Sequence, residues 1–254
     1  MNDKVVLDDC LTRRYGRASI DGGYMVLAGS KRRFQIALLL GFALASPAAA
    51  DISITPAVVV FDARNADNTI VVTNDGKDLA FVTARVRSVD APGERDEKLR
   101  FDPNPAAVGL LATPNRMVLE PGERRAIRLL AMEPAGEADR VWRVHIAPSI
   151  GKLKEGQSGV AFEIAYDALI IQRAAQATPH VRGTRSGKQL LLTNAGNSFA
   201  MISAIEQCRG GACTKLPAKR LYAGKTWTAD VPDPSEPVSV TVEITNGRKE
   251  TLRF

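Results

Sequence analysis

The chain has 254 residues, 45% of them apolar, and 34 basic against 28 acidic side chains give a net charge of +6. That length suits one large domain or two of about 100 residues each. The basic excess is spread along the chain and does not gather into a stripe, which argues against a nucleic-acid surface.

The N-terminal part reads as an export signal. Lys31, Arg32 and Arg33 precede an apolar run from Ile36 to Ala45, and Ser46-Pro47-Ala48-Ala49-Ala50 follows it. A basic segment, a short apolar segment and an Ala-x-Ala site together make a secretory signal peptide, and the run is too short to span a bilayer. Cleavage is expected after Ala50. Residues 1–24 are polar and carry no apolar period, so Met25 is expected to be the true start, with residues 1–50 as extension plus signal.

From residue 51 onward the chain reads as strands. Candidates are Asn68–Thr73, Leu79–Val86, Ala126–Leu130, Arg140–Ile146 and Val160–Ile171, separated by Asn74-Asp75-Gly76, Ala91-Pro92-Gly93 and Pro121-Gly122. Ala174 to Pro179 has little strand character and reads as a linker. After it come Gln189–Thr193, Ala200–Ile205, Leu221–Trp227 and Val238–Ile244. Short strands at regular spacing between Gly, Pro, Asn and Asp turns argue for an all-β protein of sandwich or barrel type. The expected units are 51–173 and 180–254, joined by 174–179.

Val160, Phe162, Ile164, Tyr166 and Ala168 share one parity, while Ala161, Glu163, Ala165 and Asp167 take the other. This is a period-two strand with one apolar face. Such a face most often packs into its own core. Here the strand follows a polar, Gly-containing loop and runs straight into the linker, a setting in which an edge strand can pair with another chain.

Cys10 lies ahead of the cleavage site, which leaves Cys208 and Cys213, separated by Arg-Gly-Gly-Ala. An even count in an exported chain favours a disulfide across a tight hairpin. Two cysteines without a nearby histidine do not make a metal site. The histidines, His145 and His180, belong to no Ser-His-Asp order and no His-x-x-x-His pair, and no Gly-rich phosphate loop stands out. Neither catalysis, a cofactor nor a small-molecule substrate is expected.

Several stretches in order resemble the PapD-like periplasmic pilus chaperones: ISITPAVVVFD from Ile52, VLEPGERRAIRLL from Val118, WRVHIAP from Trp142, the strand from Val160 to Arg173, LLTNAGN from Leu191 and LPAKRLYAGKTW from Leu216. The likeness covers most of residues 51–254. The cysteine hairpin and the stretch from Arg220 to Gly224 are similar to the divergent, alternate branch of that family. The resemblance implies two immunoglobulin-like β-sandwiches in a boomerang arrangement. It implies a chaperone that lends an edge strand to pilus subunits and delivers them to an outer-membrane usher. Val160, Phe162, Ile164, Tyr166 and Ala168 would then be the donated side chains. Glu137 and Arg173 would form a charge contact between the domains. A self-capping homodimer is a further state that such a strand allows. One departure stands out. The positions that correspond to the family's Arg and Lys carboxylate anchor are Val58 and Leu169, and neither can pair with a carboxylate. The rival function is an exported pilus subunit or adhesin, which would share the sandwich architecture but lack a strand.

Overall fold

The computed structural model describes residues 52–61, 68–148, 164–244 and 247–254. The expected signal segment lies outside them, as do Val160 and Phe162. Among the described residues no helix is long and apolar enough to cross a membrane.

The first sandwich is built from β1 (Ile52–Thr55), β2 (Val58–Phe61), β3 (Thr69–Asn74), β4 (Ala80–Asp90), β5 (Lys98–Phe101), the short helix α1 (Pro105–Val108), β6 (Leu110–Thr113), β7 (Arg116–Leu119), β8 (Arg124–Ala131), β9 (Arg140–Pro148) and β10 (Tyr166–Gln172). One sheet has the order β1-β3-β8-β6; the other runs β2-β10-β9-β4-β5, with β7 also on β4. The alternation of β3 shows why the layers close: Ile70 and Val72 point inward and the residues between them are half-buried. They meet Val82, Leu119, Ile127, Val144, Ile146 and Ile170 from both sheets. Each fully buried aliphatic side chain of this kind contributes about 1.5–3 kcal/mol. Trp142 joins them, and its indole N–H donates to the Val108 carbonyl at 2.8 Å, so the largest core side chain leaves no polar atom unsatisfied.

The second sandwich contains β11 (Val181–Ser186), β12 (Gln189–Asn194), β13 (Ala200–Arg209), β14 (Ala212–Leu216), β15 (Lys219–Leu221), β16 (Thr226–Asp230), β17 (Val238–Glu243) and β18 (Lys249–Arg253). Its sheets run β11-β12-β16 and β14-β13-β17-β18, with β15 beside β13. Leu190, Leu192, Ile202, Val240 and Val242 fill a core of its own. The expected strand Leu221–Trp227 is divided. Gly224 has a positive φ of 70°, which turns the chain between β15 and β16 and ends one strand before the other begins.

Cys208 and Cys213 are register partners across β13 and β14 and form a disulfide. Gly210 and Gly211 between them both have positive φ, 57° and 86°. Two such residues in succession are what a tight primed hairpin turn requires, and glycine adopts them without steric cost.

Both sandwiches use one buried asparagine in the same way. The Asn74 amide donates to the carbonyls of Asp78 and Leu119 at 2.8 and 3.0 Å, and its oxygen accepts from Gly76 N at 3.0 Å. The Asn194 amide donates to the carbonyls of Ser198 and Leu221 at 2.8 and 3.0 Å, and its oxygen accepts from Gly196 N at 3.0 Å. Each side chain is itself fully buried and satisfies main-chain groups around its turn.

Candidate partner-binding site

Strand β10 lies between β9, antiparallel, and β2, parallel. The β9 side is paired along the whole of Tyr166–Gln172, whereas β2 covers the opposite flank only from Leu169 onward. Among the described residues, 166–168 therefore have a strand on one side only. An extended backbone with one unpaired flank is a template for a further strand.

The five side chains expected to be donated separate into three groups. Val160 and Phe162 lie outside the described residues. Ile164 is 51% exposed. Tyr166 and Ala168 belong to the sandwich itself. Ala168 is fully buried in the first core, and Tyr166 packs against that core while its hydroxyl donates to the Ile52 carbonyl at 3.0 Å. The apolar parity is continuous, but the opposing sheet covers it from Tyr166 onward, so those two side chains are not available to another chain.

The other parity of β10 faces the second sandwich. Leu169 and Ile171, with Val141 from β9, form an apolar seam with Phe199 and Tyr222. Val58 and Leu169 are cross-strand neighbours, so the two positions that correspond to the family's carboxylate anchor are adjacent. Leu169 is only 5% exposed and committed to the seam.

The seam is closed by polar contacts at the end of β10. Arg173 Nη1 donates to Ser198 Oγ at 2.8 Å and to the Phe199 carbonyl at 3.3 Å. Its guanidinium lies 3.9 Å from the centre of the Phe199 ring, a stacked cation–π contact. Glu137 enters through its main chain: its carbonyl accepts from Asn197 Nδ2 at 2.9 Å. A carboxylate that bridges the units is that of Asp139, which accepts from Ala174 N at 2.9 Å and from Phe199 N at 2.7 Å. Two acids two residues apart are equivalent in a sequence pattern. The shorter side chain of Asp139 meets main-chain N–H groups on both sides, and nothing in the local pattern signals that.

On the outer face of the larger sheet, β4, β9 and β10 align Arg85, His145 and Asp167 in one row, and Arg87, Arg143 and Leu169 in the next. Asp167 pairs with Arg87 and, at 3.0 Å, with His145 Nδ1. Burial is the largest single influence on the Asp167 carboxyl and pushes its pKa up. The hydrogen bonds and charges of His145 and Arg87 together outweigh burial and hold the carboxyl below its ordinary value. Among the described residues no group of three or more His, Cys, Asp or Glu is placed to hold a metal ion.

No protein-family model and no curated protein matches the chain. Solved structures do. The class 5 fimbriae chaperone CfaA superposes with a TM-score of 0.61 at 22% identity, covering 80% of this chain and 97% of that one. A chaperone–tip adhesin complex of CFA/I fimbriae biogenesis gives 0.60 at 22% identity over 81% and 98%. The SafB chaperone of Salmonella enterica, in complex with the SafA pilin, gives 0.55 at 14% identity over 82% and 98%. The chain thus has the all-β, two-sandwich fold of the fimbrial chaperones.

Proposed function

We propose that this chain is a periplasmic chaperone of pilus subunits, a binding protein that stabilises a subunit by lending it a strand and passes it to an outer-membrane usher. The observation that carries the reading is the open flank of β10 ahead of Leu169, where the exposed Ile164 stands at the head of a strand whose own sandwich pairs it on one side. The donated apolar set is Val160, Phe162 and Ile164, which share the sequence parity of Tyr166 and Ala168. A subunit that lacks one strand would gain backbone pairing along the flank and apolar contacts from these three, the β-augmentation mode of peptide capture. The basic segment, apolar run and Ala-x-Ala site ahead of Asp51 support export to the periplasm, and an oxidising compartment suits the Cys208–Cys213 disulfide.

Co-expression with candidate pilus subunits from the same genome, followed by size-exclusion chromatography, tests the reading. The expected product is a soluble one-to-one complex. Ile164→Asp is expected to reduce its recovery at least tenfold and leave the circular-dichroism melt of the free protein unchanged. Polymerisation of the chain into fibres of its own would favour a subunit or adhesin, and an intact complex with the Asp variant would refute the strand-lending mechanism.

A further inference from the structure

Strand β4 has two neighbours on the flank away from β9, and they do not meet. β7 pairs with it as far as Thr83, opposite Arg116, and β5 begins only at Arg87, opposite Phe101. Ala84 N, in between, donates to the Asn115 carbonyl at 2.9 Å. Arg85 and Val86 therefore have no ladder partner on that flank among the described residues. The notch opens into a cavity of about 430 Å³, a volume that suits a small molecule.

Its floor and its mouth differ in character. The period of two puts Ala84 and Val86 on the core side of β4 and Thr83 and Arg85 on the outer side. Ala84, Val108, Leu110 and Ala112 line the cavity and are buried members of the first core, so the floor is apolar. Arg85, Phe101 and Arg116 line it from the outer side. Arg85 and Arg116 are exposed, and neither guanidinium has an ion-pair or hydrogen-bond partner among the described residues. The next arginines on β4 and β5 do: Arg87 pairs with Asp167 and Arg100 with Asp90. Asp102, the acid in the lining, turns one carboxylate oxygen to Asn104 N at 2.8 Å. Phe101 is 57% exposed. A large aromatic side chain left in water at the lip of an apolar cavity is surface that a ligand can cover.

We infer that this notch binds a small amphiphilic anion, its apolar tail on the floor formed by Ala84, Val108 and Leu110 and its charged head at Arg85 and Arg116. Charge complementarity selects the head: a cation would meet two like charges, and a neutral group would leave both guanidinium groups without a counter-ion. The width of the gap selects the tail. Two unpaired residues are too short a flank for a further strand, whereas an alkyl chain needs no ladder. Strand β9 lies between β4 and β10, so an occupied notch leaves the open flank of β10 free, and the site stands or falls apart from the chaperone reading.

The test uses the full mature protein without any subunit. Octanoate is titrated below its micelle concentration while the methyl resonances of Val86, Val108, Leu110 and Leu111 are followed by NMR. These four are expected to shift saturably, and those of Leu192 and Val240 in the second core to stay in place. Hexanoate, two methylenes shorter, is expected to bind about tenfold more weakly. Octanol and octylammonium, which keep the tail and change the head, should each bind at least tenfold more weakly than octanoate. Arg85→Gln combined with Arg116→Gln is expected to weaken octanoate about tenfold, the scale of one charge-assisted hydrogen bond, and to leave octanol unaffected. Both positions are exposed, and a thermal melt checks that the double variant is folded. Shifts that spread over both sandwiches without saturating would overturn the site. Octanol or octylammonium binding as tightly as octanoate, or undiminished octanoate affinity in the folded double variant, would overturn the assignment to an anion.

Discussion

Asn74 and Asn194 close the same kind of turn, and the likeness extends to the main chain around them. Asn74 N donates to the Glu123 carbonyl at 3.0 Å, and Gly122 N donates to the Asn74 carbonyl at 2.8 Å. In the second sandwich Asn194 N donates to Lys225 and Gly224 N to Asn194, at the same two distances. Beyond the two turns the resemblance ends. After Asn74 the chain is Asp75-Gly76-Lys77-Asp78, mostly exposed. After Asn194 come Asn197, Ser198 and Phe199, and all three reach the linker or the end of β10. Asn197 Oδ1 accepts from Thr178 N at 2.8 Å, its amide donates to the carbonyls of Glu137 and Gln176 at 2.9 and 3.0 Å, and Ser198 and Phe199 meet Arg173. Gly196 packs so closely on the linker that a Cβ would lie 2.1 Å from the Thr178 carbonyl. One local device thus stabilises a sandwich in the first case and also fixes a hinge in the second.

The largest effect that tests this contrast should come from Asn74→Ala and Asn194→Ala. Asn74→Ala strands two carbonyls and one N–H, and Asn194→Ala two carbonyls and the N–H groups of Gly196 and His180, so each is expected to cost its own sandwich about 3 kcal/mol. The two tryptophans, Trp142 and Trp227, report on separate sandwiches, and urea unfolding followed in single-tryptophan variants would read the losses apart. Only Asn194→Ala is expected to expose the linker around 174–179 to limited proteolysis; equal cleavage in both would erase the proposed difference.

A smaller effect separates the sandwiches by covalent means. Cys208→Ser with Cys213→Ser removes a short closed loop, and chain entropy sets the loss at about 2 kcal/mol. Differential scanning calorimetry should show it in the second sandwich alone, and the complex proposed above should still form. The smallest effect belongs to the first sandwich and depends on pH. The Asp167 carboxyl is held below its ordinary value, so its contribution is present at neutral pH, where it is charged in both the folded and unfolded states. That contribution is lost as pH falls through the depressed folded value. Asp167→Asn is expected to lower the urea midpoint slightly at pH 7 and to converge with the parent in acid. The pair is partly exposed, so the difference should be modest, and a gap that widened in acid would contradict the sign.

Strands with a buried face were legible from the amino-acid pattern: β3, β9, β12 and β17 fall where β-branched and apolar residues cluster between turn signals. Strands such as β5 and β18 were not. Lys98–Phe101 is exposed along its whole length, and Lys249–Arg253 nearly so. Both lie at sheet ends, where no core imposes alternation. The candidate site could be read as a strand and a parity. It was not legible as a boundary, because whether Tyr166 and Ala168 meet their own core or another chain is decided by where the opposing sheet ends. Asp139 went unread for a related reason. Its role depends on a contact with Phe199, 60 positions away, which local periodicity does not encode.

Strand β10 also has a mechanical consequence. Ile164 stands just ahead of its first residue and Arg173 just past its last, and an extended chain of that length spans roughly 30 Å. A pull on whatever is attached at the first end runs along the axis of the strand, so its ladder bonds to β9 and β2 bear the load simultaneously in shear and are not peeled off one at a time. The strand would therefore resist such a pull as a unit.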